Sequence, residues 1–196
     1  MKNIIDLFYL KEAYKIAQEK STDPSTQNGA VLVNLTNKAE VDTENDLNSP
    51  LYVQNVISSY NIIGQGANHF PCGVVEKEER WQRPAKYSWV EHAERNSIFD
   101  AARKGHSTEG ATLYGCWIAC TDCCRAIIQA GVKRVFTHFN PRLEVRFGKP
   151  VSPDWVKSIA ISMVMFEEAG IKIEWTDEKL FDDDFKIRFN GELITP

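Results

Sequence analysis

Apolar residues recur at helical spacing in four segments of the chain. The first segment, residues 3–20, places apolar side chains three or four positions apart at Ile4, Leu7, Phe8, Leu10, Ile16 and Ala17. The turn-forming letters STDPST follow it and end the predicted helix. The same reasoning predicts helices at about 91–104, 121–131 and 153–169. Gly105 follows the first of these three and Gly131 ends the second.

Short apolar runs between these helices predict β-strands. They lie at residues 29–33, about 57–64, 111–117, 132–139 and 171–175. Because helices and strands alternate along the chain, we expect an α/β fold with helices on both faces of a central sheet. The prediction is a three-layer α/β/α sandwich with a mixed sheet of about five strands.

Two segments show no regular period. Residues 34–56 are polar and rich in Asn and Asp, which indicates a long loop or hairpin insertion. Residues 176–196 have no strong pattern and are interpreted as a C-terminal extension. A length of 196 residues is typical of one domain, so residues 1–196 are expected to form a single domain.

Composition and charge narrow the class of protein. The chain is 43% hydrophobic and 26% charged, as soluble globular proteins are. Its formal net charge of −4 gives no positive field for a nucleic acid, so a small-molecule ligand is expected. The N-terminal helix, interrupted by charges, fits neither a signal peptide nor a membrane span. The sequence therefore predicts a cytoplasmic protein without membrane or nucleic-acid partners.

Two short motifs carry candidate chemistry. His92 and Glu94 stand near the start of one predicted helix, and Cys120 and Cys123 stand at the start of another. The spacing of the cysteines places both thiolates on one side of the first turn, where the helix dipole favours the ionised form. One His and two Cys leave the fourth position of a tetrahedral zinc site open, which is typical of catalytic sites. Glu94 is then available to move a proton.

The order H-x-E followed by P-C-x-x-C is typical of zinc deaminases, and only the proline is replaced here, by Ala119. Three further segments, STDPSTQNGAVLV, IIGQGANHFPCGV and KYSWVEHAERNSI, extend the likeness. Over roughly residues 5–35 and 58–140 the sequence resembles the deoxycytidylate (dCMP) deaminase family. That resemblance implies a cytidine-deaminase-like fold.

The resemblance also implies a reaction and its central residues. His92, Cys120 and Cys123 would hold one catalytic Zn²⁺, and Glu94 would act as general acid and base. The implied activity is conversion of dCMP to dUMP and ammonia. The family further implies a nucleotide substrate, a homo-oligomer and control by a deoxynucleoside triphosphate effector.

Substrate contacts follow from the same resemblance. Asn68 would hydrogen-bond the nucleotide, the backbone N–H of Ala93 would orient the base, and Ser25 and Thr26 would lie near the substrate. Gln27 stands where the family often has a basic residue. The residues that would bind the phosphate are therefore not predicted.

Several alternatives stay open at this point. Tyr87 and Trp89 are interpreted either as pocket walls or as core aromatics. His69 and Cys72 are weighed as the start of a second metal site. The competing functions are a deaminase of another free base, nucleoside or modified dCMP, a deaminase of bases within RNA, and a catalytically silent zinc-binding regulator.

Overall fold

The computed structural model describes residues 4–35, 60–139, 145–146, 149–150 and 152–196. The α-helices in these ranges are α1 (Ile4–Lys20), α2 (Lys86–Trp89), α3 (Ala93–Arg103), α4 (Thr121–Gln129) and α5 (Pro153–Glu168), and a 3₁₀ helix covers Glu78–Trp81. The strands are β1 (Gly29–Leu35), β2 (Tyr60–Ala67), β3 (Thr112–Gly115), β4 (Arg134–His138), β5 (Val145–Arg146), β6 (Lys149–Pro150), β7 (Lys172–Thr176), β8 (Ile187–Phe189) and β9 (Glu192–Ile194). None of the helices in these ranges is long and apolar enough to cross a membrane.

A five-stranded sheet lies at the centre of the molecule, with the strand order β2-β1-β3-β4-β7. Strand β1 pairs antiparallel with both β2 and β3, whereas β3–β4 and β4–β7 are parallel pairs. The parallel pairs are joined by α4 and by α5, the crossover connections that parallel strands require. The predicted mixed sheet of about five strands is confirmed.

Each face of the sheet covers its own hydrophobic core. Val31 and Val33 of β1 pack with α1 residues such as Leu10 and Tyr14 on one face. Leu32, which points to the opposite face, packs with residues of α4 and α5, including Ile127 and Phe166. This alternation follows from the two-residue period of a strand. Helices therefore cover both faces, which confirms the predicted three-layer sandwich.

Helix α3 approaches β2 unusually closely. A Cβ atom on Gly64 would lie 2.2 Å from the carbonyl oxygen of Ser97, and one on Gly66 would lie 2.2 Å from the carbonyl oxygen of Ala93. Neither position has room for a side chain. Glycine in β2 therefore allows the N-terminal end of α3 to lie directly on the sheet.

The C-terminal segment differs from its prediction. Residues 176–196 include a β-hairpin in which Ile187 pairs with Ile194 and Phe189 pairs with Glu192. Its two turn residues, Asn190 and Gly191, both have positive φ angles, of 51° and 84°. Asn-Gly is the dipeptide that favours a two-residue hairpin turn, so the sequence at 190–191 does indicate this turn. The strands are only three residues long, too short to show a period of two.

Element boundaries shift by a few residues elsewhere. The strand predicted at about 57–64 is described from Tyr60 and continues to Ala67. The predicted insertion at 34–56 begins inside β1, which runs to Leu35. The rest of that insertion, residues 36–56, lies outside the described residues.

Candidate active site

Three candidate metal ligands stand at the starts of two helices. His92 is the N-cap residue of α3 and Cys120 is the N-cap residue of α4, both with extended backbone, and Cys123 lies in the first turn of α4. Neither N-cap side chain caps its own helix. Ser, Thr or Asp at an N-cap stabilises a helix by about 1 kcal/mol, a contribution that His92 and Cys120 do not make. Their side chains point toward each other instead.

The three ligand atoms converge. His92 Nδ1 lies 3.5 Å from the Sγ atoms of both Cys120 and Cys123. All three atoms lie within 4.8 Å of one another, and no other group of three His, Cys, Asp or Glu ligands converges in this way within the described ranges. In a tetrahedral zinc site, with Zn–N and Zn–S bonds of about 2.0 and 2.3 Å, nitrogen and sulfur are about 3.5 Å apart. The residues therefore fit a zinc ion.

The electrostatics of the triad favour a thiolate. Hydrogen bonds from the Cys123 thiol and from His92 lower the pKa of Cys120 to about 4, against the opposing effect of burial. Arg95 Nη1 approaches the Sγ atom of Cys123 to 3.7 Å. Cationic neighbours and helix N-termini stabilise thiolates, which are the form that binds metal.

Glu94 lies beside the triad without belonging to it. Its side chain is only 2% exposed, and burial raises the pKa of its carboxyl group above the ordinary value. The Glu94 Oε2 atom accepts hydrogen bonds from the Cys123 thiol at 3.6 Å and from the Asn28 side-chain amide at 3.5 Å. A buried carboxyl group with a raised pKa is suited to general acid and base catalysis.

Two predicted substrate contacts are bonded to each other. The backbone N–H of Ala93 donates to Asn68 Oδ1 at 3.0 Å, and Asn68 Nδ2 donates to the backbone oxygen of Thr26 at 3.3 Å. Asn68 thereby joins the start of α3 to the turn at residues 23–26. Its predicted contact with a nucleotide, and that of the Ala93 N–H, stay predictions.

A cavity of about 410 Å³ opens beside His92 and Glu94. Among the described residues, its lining consists of Asp23, Ser25, Thr26, Asn28, Asn68, Arg83, Lys86, Tyr87, His92, Glu94, Trp117, Ile118, Ser152, Pro153, Trp155, Ile159, Phe189 and Asn190. Small-molecule sites have about this volume and a comparable mixture of apolar walls and a few polar groups. The structure therefore places Ser25, Thr26 and Tyr87 around the same cavity as His92 and Glu94.

Trp89 is not part of this lining. Its ring stacks on Phe70, with 6.4 Å between centroids, and the guanidinium of Arg80 lies 3.9 Å from the ring centroid. The sequence left Tyr87 and Trp89 as either pocket walls or core aromatics. In the structure Tyr87 lines the cavity, whereas Trp89 packs beside Phe70.

Several lining residues were not predicted from the sequence. Asp23 Oδ1 accepts the backbone N–H groups of Ser25 and Thr26, and the Lys86 ammonium lies 2.6 Å from Asp23 Oδ2. Arg83 adds a second cation to the lining. The Asp-Pro-Ser-Thr letters could have indicated the Asp23 turn. No local pattern could have shown that Lys86 reaches it from 63 residues away.

The remaining cysteines and His69 lie outside the triad. Burial raises the pKa of Cys116 well above its ordinary value and that of Cys124 to about 11, so both remain thiols at neutral pH. Cys124 donates to the backbone oxygen of Ser162 at 3.5 Å. Cys72 is exposed, and His69 Nδ1 lies 2.6 Å from the backbone oxygen of Phe70. These positions are in keeping with packing for Cys116 and Cys124.

Comparison with known proteins identifies the region that holds the triad. Residues 4–139 match the family described as the cytidine and deoxycytidylate deaminase zinc-binding region. An uncharacterized deaminase of Aliivibrio fischeri, from the luxG 3′ region, is 30% identical over 156 residues, which cover 79% of this chain and 82% of that protein. Human deoxycytidylate deaminase is 31% identical over 134 residues, covering 65% of this chain and 61% of the human enzyme.

A solved structure shows the same fold. The dCMP deaminase of the cyanophage S-TIM5, in complex with dCMP and dUMP, superposes with a TM-score of 0.57 and 23% sequence identity. The match covers 90% of this chain and 99% of the phage chain. The cytidine-deaminase-like architecture is thereby confirmed.

Proposed function

The chain belongs to the family of cytidine and deoxycytidylate deaminases, and we propose that it catalyses the hydrolytic deamination of dCMP to dUMP and ammonia. One observation carries the proposal: a His/Cys/Cys triad contacts a separate buried carboxyl group, and His92 of the triad and Glu94 line one cavity. A structural zinc site has four protein ligands, whereas this triad leaves one position open. Such a position is needed for chemistry rather than for folding.

We infer that the metal held by His92, Cys120 and Cys123 is zinc. The 3.5 Å separations between nitrogen and sulfur fit its bond lengths, and a mixed nitrogen and thiolate donor set suits its softness. When bound by three protein ligands, zinc makes a water molecule in the fourth position acidic near neutral pH.

Glu94 carries the protons of the reaction. It accepts a proton from the attacking water and delivers it to N3 of the cytosine ring. A new C4–O bond forms, which leaves a hydroxyl and an amino group on C4. Glu94 then takes the proton of that hydroxyl and gives it to the exocyclic nitrogen, so that the C4–N bond breaks, ammonia leaves and C4=O remains. Burial, which raises the pKa of Glu94, supports this role because the carboxyl group then accepts a proton more readily than an exposed glutamate does.

A nucleotide monophosphate suits the charges around the cavity. Lys86 is paired with Asp23, whereas Arg83 makes no ion pair within the described part of the chain. A guanidinium free of ion pairs with the described residues, in the same lining as Ser25 and Thr26, favours a phosphate group, because guanidinium binds phosphate oxygens in pairs. This supports a nucleotide over a free base or nucleoside. The homo-oligomer and the triphosphate effector stay predictions from the family.

The test is ammonia release from zinc-loaded protein offered dCMP, CMP, 5-methyl-dCMP, deoxycytidine and cytosine. We expect dCMP to give the highest kcat/KM. In Glu94→Gln, we expect one zinc per chain to be retained while kcat falls by about 10²- to 10⁴-fold, since the proton carrier is removed. Glu109→Gln, at an exposed glutamate outside the cavity lining, is the matched control. Zinc-loaded wild-type protein that releases ammonia from none of these substrates would contradict the proposal.

A further inference from the structure

The C-terminal hairpin forms one wall of the cavity. Phe189 ends β8, and Asn190 begins the turn between β8 and β9; both line the cavity beside Ser25 and Thr26. The hairpin lies outside residues 4–139, the part of the chain that matches the family. The reactive groups and this wall therefore come from separate parts of the chain.

Hydrogen bonds hold the hairpin against the turn at residues 25–27. The backbone N–H of Gln27 donates to the oxygen of Arg188 at 3.0 Å, and Gln27 Oε1 accepts the N–H of Arg188 at 2.8 Å. The N–H of Gly191 donates to the oxygen of Ser25 at 2.8 Å, and that of Asn190 donates to Thr26 Oγ1 at 3.3 Å. Gln27, at which the sequence departs from the family, thus serves to fix the hairpin.

Packing and backbone conformation fix the tip further. The Phe189 ring lies on Trp117, with 5.0 Å between centroids, and is only 8% exposed. Asn190 has a φ angle of 51°, in the left-handed region that Asn tolerates better than most residues. Within the described ranges, no hydrogen bond engages the side-chain amide of Asn190. The protein therefore holds an unused donor and acceptor at a defined position on the cavity wall.

We propose that Asn190 determines substrate specificity by hydrogen-bonding a sugar hydroxyl of the nucleotide. This rests on the proposed function. Phe189 and Trp117 form the apolar surface that places the amide. Asn190 acts in binding and takes no part in proton transfer.

The position of the tip points to the sugar rather than to the base. Glu94 must lie beside the ring on which it acts, and Asn28 reaches Glu94 from the same chain segment. Thr26, which contacts Asn190, is two residues before Asn28, a separation of at most about 7 Å along the chain. The tip is thus held against Thr26, close to Asn28 but not bonded to it, and we assign it to the part of the nucleotide that is joined directly to the base, which is the sugar.

The chemistry of the amide distinguishes the sugar from the phosphate. A carboxamide donates and accepts, which matches a hydroxyl group that does both. A phosphate only accepts at neutral pH, and the cation Arg83 is available for it in the same lining. The proposal therefore assigns the hydroxyl to Asn190 and the phosphate to the cationic part of the cavity.

The test compares wild type with Asn190→Gly, since glycine keeps the positive φ angle and removes only the amide. Both proteins are offered dCMP and its 2′,3′-dideoxy analogue, which lacks the sugar hydroxyl. We expect the variant to raise KM for dCMP by about 3- to 10-fold, as loss of one neutral hydrogen bond does, with kcat unchanged. For the dideoxy analogue we expect equal KM values in the two proteins. Leu193→Ala, at an exposed position of β9 outside the lining, should match wild type on both substrates.

Three results would overturn the inference. They are an unchanged KM for dCMP in Asn190→Gly, an equal loss on both substrates, and an equal loss in Leu193→Ala. The melting temperature of each variant is measured alongside. If glycine loosens the tip, Asn190→Asp provides a second variant, because Asp tolerates the same backbone conformation and keeps a hydrogen-bond acceptor. Ammonia release by wild type tests the proposed function separately. If wild type is inactive, calorimetric binding of the two nucleotides to both proteins decides the inference alone.

Discussion

At the scale of single residues, Arg95 is the side chain best placed to set the metal affinity of the triad. Two thiolates within one site repel each other, and Arg95 Nη1 lies 3.7 Å from Cys123 Sγ. Glu91 forms an ion pair with the guanidinium one helical turn away and keeps it in place. The Arg95 side chain is 19% exposed, so its charge is only partly screened by water.

We expect Arg95→Leu to weaken zinc binding by about 10- to 100-fold, the usual effect of removing a residue that supports a metal ligand. Competition with a chromophoric chelator measures the affinity. Arg125→Leu is the matched control, because Arg125 is exposed and, among the residues that the structure describes, forms an ion pair only with Asp122 on the same helix. Equal zinc affinity in Arg95→Leu and wild type would show that the guanidinium does not act on the thiolates.

At the scale of elements, the sequence predicted the reactive centre better than the wall around it. His92, Glu94, Cys120 and Cys123 lie in two short motifs at predicted helix starts, so local spacing was sufficient to find them. Phe189, Asn190 and Lys86 reach the cavity through contacts between elements distant in the chain. No periodicity encodes such contacts, and β8 is too short to show any.

The sequence did not indicate why β2 contains glycines, whereas the structure shows that they allow α3 to pack closely on the strand. The carbonyl oxygen of Ala93, which follows His92, would lie 2.2 Å from a Cβ atom at position 66. We expect Gly66→Ala to destabilise the fold by about 1–3 kcal/mol, the usual cost of overpacking, and to lower zinc affinity as the start of α3 shifts. Denaturant unfolding and zinc titration measure the two effects. Ala102→Ser, at an exposed position of α3, controls for substitution as such, and stability unchanged in Gly66→Ala would contradict the expectation.

At the scale of the whole molecule, the metal site joins two helices that pack on the same face of the sheet but over different strands. His92 belongs to the helix that lies on β2, and the two cysteines belong to the helix that connects β3 with β4. A bound ion therefore links one side of the sheet to its middle. Binding to the folded state alone raises stability by mass action.

Removal of zinc should consequently lower the melting temperature. Free zinc at about 1,000 times its Kd contributes about 4 kcal/mol, which corresponds to roughly 10 °C for a chain of this size. Differential scanning calorimetry with and without a chelator measures the shift. Glu94→Gln should show the full shift and His92→Ala almost none. A melting temperature insensitive to chelation in wild type would argue against a resident ion.

The net charge of the whole molecule differs from the charge at the cavity. A value of −4 excludes a broad positive surface, as the composition indicated, yet Arg83 places one cation on the cavity wall. Composition averages over the surface and cannot show such local placement. The overall charge and the charge at the site are therefore separate properties of the molecule.

The hairpin has a consequence for how such an enzyme can diversify. Its Asn-Gly tip is bonded to the turn at residues 25–27 chiefly through backbone groups, so most side chains on the tip can vary without loosening it. The residues to which we assign the chemistry lie more than 60 positions earlier in the chain. Substrate range can thus evolve, or be redesigned in a small library at positions 189–190, while the reacting centre is inherited unchanged.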